Sequence, residues 1–89
     1  MSVELEALNF LRKVANVKEA YHLLTFKCYR EAKDGHMQEV LVEVLDGGPE
    51  HFSARYRVIV SAEGKSASGN SFDSVEAAIA TVHWGDLDK

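Results

Sequence analysis

Apolar positions recur at helical spacing over residues 3–17, where Val3, Ala7, Phe10, Leu11 and Val14 form a stripe broadened by Leu5, Leu8 and Ala15. The pattern predicts an N-terminal helix. Ser2 is its N-cap, Glu4 and Glu6 lie in the first turn where the helix dipole favours anions, and Asn16 is suited to a left-handed helix end. From residue 21 to 32 the period falls to two, setting Leu24, Phe26 and Cys28 on one side and Leu23, Thr25, Lys27 and Tyr29 on the other. A helical face through Tyr21, Leu24 and Cys28 competes, but the β-rich run 24–29 favours a strand. Asp34-Gly35 then supplies hairpin-turn chemistry. A second strand follows over 38–45, with Val40, Val42 and Val44 alternating against Glu39, Leu41, Glu43 and Leu45.

After the break at residues 46–49, Ala54, Tyr56, Val58, Val60 and Ala62 alternate with Arg55, Arg57, Ile59 and Ser61, predicting a third strand. Glu63-Gly64-Lys65 turns the chain, and residues 66–70 offer a short fourth strand of small side chains. Asp73 as N-cap, Glu76 three residues on and Phe72 ahead of the cap predict a last helix with a buried stripe of Val75, Ala78, Ile79 and Val82. Gly85 is its stop, and residues 86–89 read as a frayed tail. Strands joined by short turns pair antiparallel, and each helix has one apolar stripe. The expected fold is therefore α+β: a two-layer sandwich in which a three- or four-stranded antiparallel sheet carries the N- and C-terminal helices on one face.

The chain has 89 residues, 46% hydrophobic and 27% charged, which suits a single domain over 1–89 with one core. A domain of this size has a net stability on the order of 5 kcal/mol, so association with a partner can contribute. A lone cysteine, Cys28, forms no internal disulfide, and with no signal-peptide pattern at the start the expected location is cytoplasmic. The longest apolar run, 77–82, is far below the ~20 residues that cross a bilayer, so no membrane is expected. A formal net charge of -4 disfavours polyanionic partners at long range.

Residues 47–82 resemble the second half of a double-stranded RNA-binding domain. Gly48-Pro49-Glu50-His51 matches the family's GPxH loop, the strand of residues 56–62 follows it, and Ser74 and Ala78 match the serine and alanine of the S-K-K-x-A-K helix start. The resemblance implies RNA contacts from His51 in the minor groove and from cations near the last helix, of which Lys65 is the one retained at that end. The motif's three lysine positions fall on Val75, Glu76 and Ile79. Because phosphate contacts supply most non-specific affinity, their loss points to a retained scaffold without its usual activity. Read without the resemblance, GPEH is a strand-connecting turn.

With the valines inward, the other sheet face carries Tyr29, Leu41, Leu45 and Ile59 among Lys27, Glu39, Glu43, Arg55 and Arg57. Those four apolar residues are the candidate partner-binding surface, for another protein or a homodimer. The charges suit cross-strand ion pairs on a solvated face. No two of His22, His36, His51 and His83 have metal-ligand spacing, and Cys28 reads as an inert core thiol. No cofactor, metal or catalytic residue is expected. His83-Trp84-Gly85-Asp86 reads as a lid at the helix end, with a substrate site there as the minor alternative. The reading is a non-enzymatic binding module, with RNA binding through His51 and Lys65 as first alternative and a small enzyme as second.

Overall fold

A computed structural model describes residues 3–48 and 54–89. Ser2, Pro49, Glu50 and His51 lie outside the described residues. The order is α1 (Val3–Leu11), β1 (His22–Glu31), β2 (Met37–Asp46), β3 (Tyr56–Ala62), β4 (Lys65–Ser68), α2 (Val75–Ala80) and a 3-10 helix, η1 (Trp84–Asp88). The strands form one antiparallel sheet in the order β1-β2-β3-β4, the α+β arrangement that the period changes predict.

Alternation fixes which side chains face inward. In β2, Val40, Val42 and Val44 are buried, and their neighbours across the ladder include Val58 and Val60 of β3. Ala62, Ala67, Ala78, Val82 and Leu87 complete the core, with Tyr56, Phe72, Val75 and Trp84 packed against it. Two turns have the geometry their sequences demand. Gly35 has φ 93° in the β1-β2 hairpin, and Glu63 (φ 52°) and Gly64 (φ 78°) make the two-residue link that pairs Ala62 with Lys65.

The helix ends depart from the sequence reading. α1 stops at Leu11, and the chain turns through Ala15 and Asn16, both left-handed, before β1. The cap of α2 is Ser74 and not Asp73: the Ser74 hydroxyl accepts from the Ala77 N–H at 3.1 Å. Residue 77 is alanine, so no reciprocal capping box closes there. Ile79, expected in the buried stripe, is exposed. Gly85 does not stop α2, which ends at Ala80 with Thr81 as C-cap, but lies within η1.

The expected frayed tail is instead part of the fold. Leu87 is fully buried, and its carbonyl accepts from Gln38 Nε2 at 3.1 Å. Arg30 donates from both guanidinium nitrogens to the two Asp88 oxygens at 3.1 Å, and the Lys33 N–H donates to the same carboxylate. The Arg30 charge and the Lys33 N–H hold the Asp88 carboxyl below its ordinary range.

The helical layer covers only part of the sheet. α2, at six residues, is about 9 Å long, and it lies on β3 while η1 lies on β4 and β3. α1 adjoins β1 and is tied down at one end of the sheet, where Leu8 is buried against Gly48 and Arg12 donates to the carbonyls of Gly47 and Ala20. Among the described residues the valine face therefore runs out uncovered over β1. The radius of gyration, 14.9 Å, exceeds the about 12 Å usual for this length.

Candidate functional site

Three regions gather side chains able to bind or react, and each follows from strand register. On the face opposite the valines, Tyr29, Leu41, Leu45 and Ile59 do share one side, as their parity requires. Register spaces them apart. Leu41 sits between Lys27 and Ser61, Leu45 between Leu23 and Arg57, and Ile59 opposite Glu43 and Ser68. Tyr29 and Leu41 are exposed, whereas Leu45 and Ile59 are half-buried. Of the expected cross-strand ion pairs, Lys27 reaches Glu39 at 3.0 Å, and Tyr29 Oη donates to the same carboxylate at 3.5 Å. Arg55 turns away from Glu43 and makes a two-nitrogen contact with Asp46 at 2.7 and 3.0 Å, which lowers the Asp46 pKa together with the Gly48 N–H.

The sequence reading missed the larger apolar surface. Leu24 and Phe26 share the valine side, being paired with Val44 and Val42, but they are 42% and 54% exposed. Cys28, expected in the core with them, is half-buried at its margin. Of the eleven large apolar side chains left exposed among the described residues, ten lie on α1, β1, β2 or immediately before β1. Only Ile79 lies elsewhere. No sequence signal marked this: Gly85 was the expected stop, and it is the end of α2 at Ala80 that leaves six residues, too few to roof four strands spaced about 4.8 Å apart.

At the opposite end from α1, the β1-β2 hairpin meets the β3-β4 turn. His36 Nδ1 contacts Asp34, and Nε2 lies 2.8 Å from Glu63 Oε1. Glu63 and then Asp34 raise the His36 pKa; the His36 backbone N–H and then its imidazole lower the Asp34 carboxyl, and the imidazole lowers that of Glu63. Beneath this clasp, Gln38 is buried and accepts from Arg30 at 2.7 Å while donating to Leu87. Among the described residues no three such side chains are placed to hold a metal ion.

The signs follow from linkage. His36, with its folded pKa raised, contributes stability that is fully present below about 6.5 and lost as pH rises through the folded value. Asp34 and Glu63, with lowered folded values, contribute above their ordinary values of 3.8 and 4.5 and lose it as pH falls through the folded ones. The clasp is therefore strongest between about pH 4.5 and 6.5. Urea unfolding of His36→Ala beside the unaltered protein should show its largest stability deficit near pH 5.5 and a smaller one at pH 9. A deficit that does not change with pH would remove the charged clasp.

Of the two residues tied to RNA, His51 lies outside the described residues, so only Lys65 is placed. Gly48 and Ala54 lie where β3 begins, whereas Lys65 lies where β3 has turned into β4. The start of α2 is at the first of these ends, through the Tyr56–Phe72 bridge, and there Asp73 and Glu76 are exposed. Lys65 is directed to the Leu87 carbonyl at 3.5 Å. The His83-Trp84-Asp86 cluster also divides: Trp84 packs on the core, and His83 and Asp86 line an open depression of about 520 Å³ with Arg57, Ser68 and Asn70.

Among the described residues no helix is long and apolar enough to cross a membrane. No family model, curated protein or solved structure matches this chain.

Proposed function

We propose that this chain is a non-enzymatic interaction domain of the cytoplasm that binds protein through the β1-β2 side of its sheet, including Tyr29, Leu41, Leu45 and Ile59. The observation that carries the reading is the concentration of exposed Leu23, Leu24, Phe26, Tyr29 and Leu41 on two adjacent strands beyond the reach of α2. Exposed apolar side chains interspersed with Lys27, Glu39 and Glu43 suit a protein-binding surface. The sequence resemblance of residues 47–82 to a double-stranded RNA-binding domain is consistent with this use, since Val75, Glu76 and Ile79 stand where that family has the lysines that would bind phosphate. The lone cysteine suits a reducing compartment.

The test is affinity capture from native lysate with and without ribonuclease, alongside sedimentation of the purified chain. The expected result is a protein complex that survives ribonuclease and is lost in Leu41→Lys/Leu45→Lys with the circular dichroism spectrum unchanged. A monomer that captures nothing, or capture that ribonuclease abolishes together with a salt-sensitive shift of a short RNA duplex, would overturn it.

A further inference from the structure

We infer that the partner surface is completed by a second copy of this chain, which pairs β1 with β1 antiparallel about a two-fold axis at Phe26 and joins two four-stranded sheets into one of eight. This rests on the interaction reading above and makes it specific.

Among the described residues no strand pairs with the outer edge of β1, the sheet order being β1-β2-β3-β4. Its hydrogen-bonding parity is fixed by the hairpin: the Ala32 N–H donates to the His36 carbonyl, so in the same register the even-numbered residues of β1 direct their N–H and C=O toward β2. Leu23, Thr25, Lys27, Tyr29 and Glu31 therefore direct theirs outward. A strand of ten residues with such an edge is long for one left exposed, and Lys27, the charge that would guard it, is drawn onto Glu39.

Self-pairing must keep each strand's valine-side residues on one face, which limits the two-fold axis to a residue position. An axis at Lys27 sets two ammonium groups opposite each other, and an axis at Cys28 sets Phe26 against Arg30. An axis at Thr25 sets Lys27 against Leu23. With the axis at Phe26, Phe26 faces Phe26 and Leu24 faces Cys28 on the uncovered valine side, while Leu23 faces Tyr29 and Thr25 faces Lys27 on the other. His22 then faces Arg30, whose charge is already held by Asp88. The outward odd residues meet as hydrogen-bonded pairs, Thr25 with Lys27 and Leu23 with Tyr29, each pair occurring twice across the axis. Phe26-Phe26 and Leu24-Cys28 become the close, non-hydrogen-bonded pairs, where side chains touch most. This arrangement gives Leu24 and Phe26, which the chain's own helices leave open, apolar neighbours in Cys28 and Phe26 of the other copy.

The register has a covalent signature. Leu24→Cys places a thiol opposite Cys28 of the other copy at a Cα separation of about 4.5 Å, within disulfide range. Within one chain the two cysteines are about 13 Å apart along the strand, and the two native Cys28 residues are offset by as much, so neither can bridge. Sedimentation of the purified chain at tens of micromolar should give twice the 9.9 kDa chain mass. Phe26→Asp should reduce it to one chain mass, as should Thr25→Pro, which removes an outward N–H and leaves the β1-β2 ladder complete. Mild oxidation should convert Leu24→Cys, and not the unaltered protein, to a covalent dimer. A monomeric unaltered chain overturns the inference, as does a dimer that persists in folded Phe26→Asp and Thr25→Pro or one cross-linked through native Cys28 alone. If the chain is monomeric yet captures another protein in a Leu41- and Leu45-dependent way, self-pairing falls and the interaction reading stands. If it is monomeric and captures nothing, both fall.

Discussion

Leu87→Ala should lower the stability of this domain by about 2–5 kcal/mol, as truncation of a fully buried leucine does. The total for so small a domain is on the order of 5 kcal/mol, so a substitution two residues before the last one should bring the protein close to unfolding. The side chain belongs to the core cluster with Val58, Val60, Ala62 and Ala67. Its main chain compounds the loss. If η1 loosens, the Leu87 carbonyl withdraws from Gln38, leaving a buried amide short of a partner. Differential scanning calorimetry should report a melting temperature lower by about 10 °C or more. A melting temperature within about 2 °C of the unaltered protein would mean that the tail is not part of the core.

Gly69→Ala should be the second severe change, and it acts through backbone rather than core volume. A Cβ at residue 69 would lie 2.6 Å from the carbonyl carbon, the carbonyl oxygen and the hydroxyl of Thr81. The backbone of Thr81 cannot rotate aside as a flexible side chain does, because the same turn is fixed by the Thr81 hydroxyl donating to Ala78 and by the His83 N–H donating to Ser68. Relief requires separating β4 from the end of α2. Overpacking of this kind costs about 1–3 kcal/mol, and the rigidity of both elements puts this position at the upper end. Urea denaturation of Gly69→Ala against Gly64→Ala separates the mechanisms. Gly64 has open space around its Cβ position and a φ of 78°, so its substitution carries backbone strain alone. Equal midpoints for Gly69→Ala and the unaltered protein would contradict the close approach.

Much of the fold was legible because its signals are local. Val40, Val42 and Val44 and then Val58, Val60 and Ala62 alternate without a break, and both strands occur within a residue or so of the expected positions. Asp34-Gly35 and Glu63-Gly64 sit at the turns, since turn chemistry depends on a few adjacent dihedral angles. The cap of α2 was misassigned by one residue because Asp73 and Ser74 are both capable side chains and only the observed geometry distinguishes them.

The binding surface was less legible. Alternation correctly put Leu24, Phe26 and Cys28 on the valine side, but a pattern of period two says which face a residue occupies and not whether anything covers that face. Coverage depends on where α1 and α2 come to rest, and α1 is held at the end of the sheet by Leu8, Gly48 and Arg12. The face opposite carries Tyr29, Leu41, Leu45 and Ile59 together as expected, with the glutamates and Lys27 set between them by register.

The sequence by itself determined the α+β class, the antiparallel order of the strands and the inward set of valines, because strand period, turn residues and short connections constrain nearest neighbours. Only the tertiary structure decided that Leu87 is core, that Arg30 meets Asp88 and that the apolar side of β1 stays open. Those outcomes depend on segments far apart in the chain, Arg30 and Asp88 being 58 residues distant, and no local pattern encodes such a meeting.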